Sequence, residues 1–256
     1  MATYGLLGKK LTHSYSAEYF NSKFQKEGID SIYKLFEIDN IQQISNILET
    51  QPFLRGLNVT IPYKEKIIPF LEGLDKNAAK IGAVNTIRIV EGKLYGFNTD
   101  IIGFEQLLNP LTKKNIPKAL IFGTGGAAKA VGFVLKKKGI SFKTVSRSKA
   151  KGDLVWEEIT PEIIANYQLL INTTPLGMAP QIATAPSLPY EAVTPNHLAI
   201  DLIYNPKTTV FLKRCFEQKA VIFNGLPMLY AQAEAAWKIW NLSENAIIES
   251  VSSMPK

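Results

Sequence analysis

Lys118-Ala119-Leu120-Ile121-Phe122-Gly123-Thr124-Gly125-Gly126-Ala127-Ala128 is the stretch around which the rest of the chain is organised. Its first five residues suit a short buried strand. The next six make a glycine turn. Ala130, Val131, Val134 and Leu135 follow at one-face helical spacing, which predicts a helix from near Gly126. Strand, Gly-x-Gly-x-x-Ala and helix in that order form the fingerprint of a dinucleotide-binding turn. Gly123 permits the tight turn, Gly125 lets backbone approach a pyrophosphate, and Ala128 lets helix and strand pack closely. The N–H groups that open the helix have no partners within it and suit phosphate oxygens.

A second strand, Phe142 to Ser146, ends at Ser146-Arg147-Ser148. An NAD-binding turn places an acidic residue there for the ribose hydroxyl. An Arg flanked by hydroxyls suits a 2′-phosphate, so NADP is expected in preference to NAD.

The surrounding chain has 256 residues, 46% of them hydrophobic and 20% charged, as in an ordinary globular protein of one or two domains. One Cys and two His cannot build a Cys/His zinc cluster, and no metal is expected. Cys215 lies in an apolar helical run and reads as a core residue. The N-terminus lacks a basic region followed by a long apolar stretch, and no apolar run approaches the ~20 residues of a membrane span. A cytoplasmic protein with no membrane partner is expected. The net charge of +7 is scattered, with small clusters at Lys113-Lys114 and Lys136 to Lys138. No aromatic-interleaved basic strip or recognition motif points to nucleic acid. The excess charge favours an anionic cofactor or substrate.

In chain order, strands are predicted over Thr3 to Gly8, Ser31 to Ile38, Leu54 to Val59, Asn85 to Val90 and Lys93 to Asn98. The last two are joined by the Glu91-Gly92 turn. Helices are predicted over Ser16 to Glu27, Ile41 to Glu49, Tyr63 to Leu71 with an interruption at Pro69, and Asp75 to Ile81 with Asp75 as cap. Residues 1–100 thus form their own α/β layer. Ile101 to Leu108 is a short helix that leads into the nucleotide-binding part, 101–225. That part continues with a helix over Pro161 to Tyr167 and strands over Gln168 to Thr173, Leu198 to Leu202 and Ala220 to Phe223. A proline-bearing loop, Pro175 to Pro195, and a helix over Thr208 to Gln218 complete it. Two helices remain in 226–256, Leu226 to Trp240 and Ser243 to Val251. Counting elements sends them back to the first domain.

Polar residues gather after strand ends in the first domain: Ser14 and Ser16, then Asn58, Thr60 and Lys64, then Asn98, Thr99 and Asp100, with Asn85 opening a strand. Ligands of open α/β sheets sit outside such ends. Each residue also has a plain reading. Ser16 and Asp100 suit helix caps, and a lone Lys64 suits a solvated helix face.

Several long motifs, all in one order, resemble the shikimate dehydrogenase family over nearly the whole chain. They are Gly8 through His13-Ser14-Tyr15-Ser16, Gly56-Leu57-Asn58-Val59-Thr60-Ile61-Pro62-Tyr63-Lys64, Gly82-Ala83-Val84-Asn85-Thr86 and Gly96-Phe97-Asn98-Thr99-Asp100. After the glycine turn come Ser146-Arg147-Ser148, Asn172-Thr173-Thr174-Pro175-Leu176-Gly177-Met178, Asp201-Leu202-Ile203-Tyr204-Asn205-Pro206 and Met228-Leu229-Tyr230-Ala231-Gln232-Ala233. The resemblance implies an N-terminal α/β substrate domain, a Rossmann-like NADP-binding domain, and reversible NADP-dependent reduction of 3-dehydroshikimate to shikimate in aromatic amino-acid biosynthesis. It assigns the substrate carboxylate to Ser14 and Ser16, and the hydroxyls and ring edge to Thr60, Asn85, Asp100, Tyr204 and Gln232. Lys64 is then the acid/base with Asp100 as its partner. Gly123, Thr124, Gly125, Gly126 and Ala127 hold the pyrophosphate. Ser146, Arg147, Ser148, Lys149 and Lys151 hold the 2′-phosphate, and Thr173, Leu202, Gly225 and Met228 border the rest of the cofactor. The chain departs from the pattern at Lys9-Lys10, Ala17, Ile101 and Ser146, and it carries Lys149 and Lys151 where a downstream Arg is usual.

The chemistry agrees with those assignments. Ketone reduction places negative charge on oxygen, which an ammonium can stabilise and then protonate. An unperturbed Lys, with a pKa of about 10.4, is protonated at neutral pH. Oxidation of the alcohol first requires that proton to leave, so it should run faster at alkaline pH. Two other readings stay open: a quinate/shikimate dehydrogenase that tolerates NAD, and a non-catalytic NADP-binding regulatory module. The latter would be expected to lack Lys64 or Asp100. Either a monomer or a homodimer fits.

Overall fold

A computed structural model of the chain describes residues 1–11, 14–111 and 116–253. His13 of the opening loop motif and the Lys113-Lys114 cluster lie outside the described residues. The chain divides into two units, Met1–Thr99 with Ala233–Lys256, and Asp100–Gln232.

Unit 1 runs β1 (Ala2–Gly8), α1 (Tyr15–Glu27), β2 (Ser31–Glu37), α2 (Ile44–Thr50), β3 (Leu54–Val59), α3 (Tyr63–Lys66), β4 (Gly73–Asp75), α4 (Lys76–Ile81), β5 (Thr86–Val90) and β6 (Lys93–Phe97). Its C-terminal part holds the end of a long helix described below, then α10 (Glu244–Ser250) and β13 (Val251–Ser253). The sheet order is β13-β4-β6-β5-β3-β1-β2. β1 pairs in parallel with β2 and β3, whereas β5 is antiparallel to both β3 and β6. The parallel strands are apolar on both faces, as a sheet covered twice requires. Leu7, Leu57 and Val59 face one cluster with Ile44, Ile47 and Ile67, while Tyr4 and Leu6 face a second with Phe20, Phe24 and Trp240.

That second cluster explains why the chain's end belongs to this unit. Trp240 is buried, its indole N–H donates to the Ile87 carbonyl at 2.9 Å, and its ring stacks on Tyr4 with centroids 4.9 Å apart. Gly56 makes the room, since a Cβ there would sit 2.3 Å from the indole nitrogen. Ile247 of α10 is fully buried against Val90, Tyr95 and Phe97.

Unit 2 runs α5 (Asp100–Leu108), β7 (Lys118–Phe122), α6 (Gly126–Lys137), β8 (Ser141–Ser146), β9 (Leu154–Val155), α7 (Pro161–Ala165), β10 (Leu169–Asn172), β11 (Leu198–Asp201), α8 (Val210–Glu217), β12 (Val221–Phe223) and α9 (Leu226–Trp240). Within α9 the units change at Gln232/Ala233. Every pairing in this sheet is parallel, in the order β12-β11-β10-β7-β8-β9. This is the doubly wound order, with β7 and β10 flanking the point where the winding reverses. The two-residue period is clean. Ala119, Ile121, Leu169, Ile171, Leu198 and Ile200 face a cluster with Phe104 of α5 and Val131, Val134 and Leu135 of α6. Leu120, Phe122, Leu170 and Ala199 face the other, with Ile164, Phe211, Leu212 and Cys215.

The predicted elements need several corrections. Three short strands, β4, β9 and β13, carry no periodic signal of their own and form by pairing with neighbours. The helix from Tyr63 breaks into α3 and a 3-10 turn at Ile68–Phe70, because Pro69 cannot donate to a continuing helix. The final helix stops at Ser250, where Val251 turns extended to pair with Asp75. Ser16 is no cap: Ser14 occupies that position, without a side-chain cap bond, and Ser16 lies in the first turn. Asp100 is the first helical residue of α5, not the residue before it. Asp75 does cap α4, accepting from Ala78 N at 2.8 Å and Asn77 N at 3.0 Å. Among the described residues no helix is long and apolar enough to cross a membrane.

Candidate active site

In unit 1 the polar residues collect where β3 and β6 end and β5 begins. The Thr60 N–H donates to the Leu7 carbonyl at 2.9 Å, and the Thr60 carbonyl accepts from Tyr63 N at 2.9 Å. The chain therefore turns directly from β3 into α3, where Lys64 is the second residue. The Lys64 carbonyl accepts from Val84 N at 2.7 Å, and the buried Tyr63 hydroxyl donates to the Ile38 carbonyl at 2.5 Å. Backbone and neighbour thus fix the base of the half-buried Lys64 side chain.

Beside this turn lies a buried set of neutral groups. Asn85 Oδ1 accepts from Thr99 N at 2.7 Å and from the Thr86 hydroxyl at 3.1 Å. Asn85 Nδ2 donates to Thr99 Oγ1 at 3.0 Å, and the Thr86 and Thr99 hydroxyls are 3.1 Å apart. Asn58 Nδ2 donates to Thr86 Oγ1 at 3.3 Å, while Asn58 Oδ1 accepts from the Tyr33 hydroxyl at 2.8 Å. Thr99 is the residue before Asp100, so the network anchors the chain that delivers this carboxylate, itself only 5% exposed. Tyr33 also hydrogen-bonds Ser16, and burial holds its phenol well above the usual range, with the Ser16 bond acting in the opposite direction. Ser14 and Ser16 are both half-buried at the start of α1.

In unit 2 the glycine turn follows β7, beside the reversal of winding. Gly123 has φ +113°, and a Cβ there would lie 2.5 Å from Thr173 Oγ1, so only glycine fits. Thr173 reaches the same turn, its hydroxyl donating to the Phe122 carbonyl at 2.7 Å. Gly125 is open: nothing lies within 4 Å of where its Cβ would be. Lys129 N donates to the Gly125 carbonyl at 3.0 Å, which leaves the N–H groups of Gly126, Ala127 and Ala128 at the free end of α6. An open backbone cradle at the N-terminus of a 12-residue helix fits a dinucleotide pyrophosphate. Thr124 lies half-buried in the same turn.

The second turn, after β8, presents Ser146-Arg147-Ser148 and no carboxylate. Ser146 Oγ accepts from Ser148 N at 3.2 Å, and Arg147 is exposed. Lys151 is likewise exposed. Lys149 is turned back, its amine 2.7 Å from both Glu158 carboxylate oxygens and 3.0 Å from the Asp153 carbonyl. Beyond β11, Gly225 packs against Leu202, whose carbonyl oxygen would be 2.0 Å from a Cβ on Gly225. Met228 is buried in the cluster beside α5 and α6. Tyr204 is half-buried after β11, and the half-buried Gln232 donates to the Leu229 carbonyl at 2.9 Å.

Sequence reasoning misses the cluster that shapes these loops. Asn172 and Asp201 are the last residues of the paired strands β10 and β11, and both are fully buried. Asn172 Nδ2 donates to Asp201 Oδ1 at 3.1 Å and to the Leu176 carbonyl at 3.2 Å; its Oδ1 accepts from the Thr174 hydroxyl at 2.6 Å. Asp201 also accepts from Ile203 N at 3.0 Å and from the Thr209 hydroxyl at 2.6 Å. Burial pushes the Asp201 carboxyl up to about 6, against the pull of these hydrogen bonds. The strand-end rule that picks out residues of the first domain finds both of these when applied to β10 and β11. Among the described residues no group of three or more His, Cys, Asp and Glu side chains is placed to hold a metal.

Comparison with known proteins agrees with this layout. Residues 6–87 match a family model described as the shikimate dehydrogenase substrate binding domain. The chain is 39% identical over 259 residues to "Shikimate dehydrogenase (NADP(+))" of Halothermothrix orenii, covering 92% of this chain and 89% of that one. Among solved structures, shikimate dehydrogenase 1 of Peptoclostridium difficile superimposes with a TM-score of 0.82 at 34% identity, covering 97% of this chain and 95% of that one. The shikimate 5-dehydrogenase of Thermus thermophilus, solved with NADP(H) and shikimate, gives a TM-score of 0.82 at 30% identity and covers 97% of each chain.

Proposed function

The chain belongs to the shikimate dehydrogenase family and is an NADP-dependent oxidoreductase; from that premise we propose that it reduces 3-dehydroshikimate reversibly to shikimate in aromatic amino-acid biosynthesis. Unit 1 with its C-terminal helices is the substrate domain, and unit 2 is the NADP domain. The observation that carries this reading is the turn from Thr60 into α3, which holds Lys64 on a fixed backbone at a strand end.

In this proposal Ser14 and Ser16 receive the substrate carboxylate. Thr60, Asn85, Asp100, Tyr204 and Gln232 hold its hydroxyls and ring edge. Lys64 stabilises the charge that develops on the carbonyl oxygen and gives it a proton; in the oxidising direction it must first release that proton. Asp100 is its carboxylate partner. Gly123, Thr124, Gly125, Gly126 and Ala127 hold the cofactor's pyrophosphate. Ser146, Arg147, Ser148, Lys149 and Lys151 make up the turn that receives its 2′-phosphate, and Thr173, Leu202, Gly225 and Met228 border the remainder. The bound nicotinamide supplies the hydride, so the chain's own groups need only position and polarise.

One assay tests the reading: absorbance of reduced nicotinamide, followed with shikimate or quinate, each against NADP and NAD, from neutral to alkaline pH. Shikimate with NADP should give the largest kcat/KM, with oxidation accelerating toward alkaline pH. Quinate with NAD matching it would move the protein to the quinate/shikimate reading. A flat pH profile would remove Lys64 from the role of base.

A further inference from the structure

The turn after β8 contains more than a phosphate site needs. Thr144 and Asp153 clasp its two ends: Asp153 Oδ2 accepts from Thr144 N at 2.7 Å and from the Thr144 hydroxyl at 2.8 Å. These bonds, the Thr144 backbone N–H foremost, hold the Asp153 carboxyl below its usual range. Lys151 N donates to the Ser148 carbonyl at 3.0 Å, and Gly152 passes so close to Ser146 that a Cβ would sit 2.7 Å from the Ser146 Cβ. The backbone of the turn is therefore set before any ligand arrives.

Lys149 is the cation of this turn that a carboxylate claims. Glu158 grips its amine with both carboxylate oxygens and at the same time accepts from Val155 N at 2.8 Å, which fixes the carboxylate in place. The Lys149 bond, followed by that from Val155, holds the Glu158 carboxyl below its ordinary value, so it is ionised at neutral pH. Among the described residues Arg147 and Lys151 have no such carboxylate partner.

Resting on the NADP reading above, we propose that Glu158 sets cofactor specificity by competing with the 2′-phosphate for Lys149. With Glu158 in place, Lys149 offers the phosphate a neutralised pair, and Arg147 with Lys151 carries most of the recognition. NAD, which lacks the 2′-phosphate, gains nothing from a free Lys149 and loses nothing to Glu158. The residue thus narrows the gap between the two cofactors without touching the glycine turn.

The test is calorimetric titration of the full chain with NADP and with NAD, for the wild type, Glu158→Gln, Lys149→Gln and the double variant. Glutamine keeps an oxygen for Val155 N, so the local turn is retained. Glu158→Gln should tighten NADP about threefold to fivefold, the scale of an exposed ion pair, and leave NAD unchanged. Lys149→Gln should weaken NADP, and in its presence Glu158→Gln should have about half its effect or less, as coupled residues do. An unchanged NADP-to-NAD affinity ratio in Glu158→Gln overturns the proposal while the function above stands. So does unaltered NADP binding in Lys149→Gln, because Lys149 then lies outside the phosphate site. A wild type that binds neither dinucleotide overturns this inference together with the reading beneath it.

Discussion

Unit 1 gathers polar groups where β3 and β6 end and the antiparallel β5 begins, unit 2 at the carboxyl ends of parallel strands, and the two use different materials. In unit 1 the work falls to side chains: amides and hydroxyls of Asn58, Asn85, Thr86 and Thr99, all neutral, bonded to one another beneath the turn that carries Lys64. In unit 2 it falls to backbone: an open glycine turn and the free N–H groups of α6, with a buried carboxylate, Asp201, holding the neighbouring loops. The difference follows from the ligands proposed for each. A small polyol must be told apart from its isomers by directed donors and acceptors, which side chains supply. A pyrophosphate needs only close, positive backbone, which glycine and a helix N-terminus supply.

The comparison breaks most visibly in kinetics. Lys64→Ala should lower kcat about a thousandfold, within the range for a lost acid/base, and leave NADP affinity intact in a binding titration. Gly123→Ala should do the reverse. Its Cβ meets Thr173 at a φ that L-residues avoid, and the resulting strain should weaken NADP binding about tenfold to a hundredfold while shikimate affinity persists. If Lys64→Ala lost NADP binding as well, the division of labour between side chains and backbone would be wrong.

Next in size is a pH effect confined to unit 2. The Asp201 carboxyl titrates near 6 when folded, against an ordinary 3.8. For a raised carboxyl, stability is fully present below the unfolded value and is lost as pH rises through the folded one. The loss therefore falls between about pH 4 and pH 6 and persists above. Asp201→Asn cannot ionise, so its stability relative to wild type should improve across that window by roughly 2–3 kcal/mol, from the size of the shift. Paired urea denaturations at pH 3.5 and pH 7 measure it, and the difference between proteins cancels the other carboxylates. A constant difference would mean that Asp201 is not strained by burial.

Local pattern accounts for much of this architecture. The glycine turn, the alternating strands and helices, and the strand-end positions of Thr60, Lys64 and Asn85 are all legible in the sequence, because each depends on residues adjacent in the chain. Tyr33 is not legible there: it sits mid-strand as an ordinary aromatic, and only pairing of β1 with β2 and β3 brings it to Asn58 and Ser16. Nor is β13, a three-residue strand that exists because Asp75 and its neighbours offer it an edge. The Lys149–Glu158 pair is hidden for the same reason, since the chain must fold back through β9 to form it.

The smallest predicted effect tests the neutral half of the comparison. Thr86→Val keeps the shape of a fully buried side chain and removes one hydroxyl that serves Asn58, Asn85 and Thr99 together. Its partners would be left short of a bond without any change in charge. The cost should be about 1–2 kcal/mol, the range for stranding a buried polar group. Because no member of the network titrates between pH 4 and pH 8, that cost should be the same at both ends of the window in which Asp201→Asn changes sharply. Denaturation curves for Thr86→Val that moved with pH would show that a charge reaches this cluster. The contrast between a neutral substrate-side network and an ionisable cofactor-side one would then have to be given up.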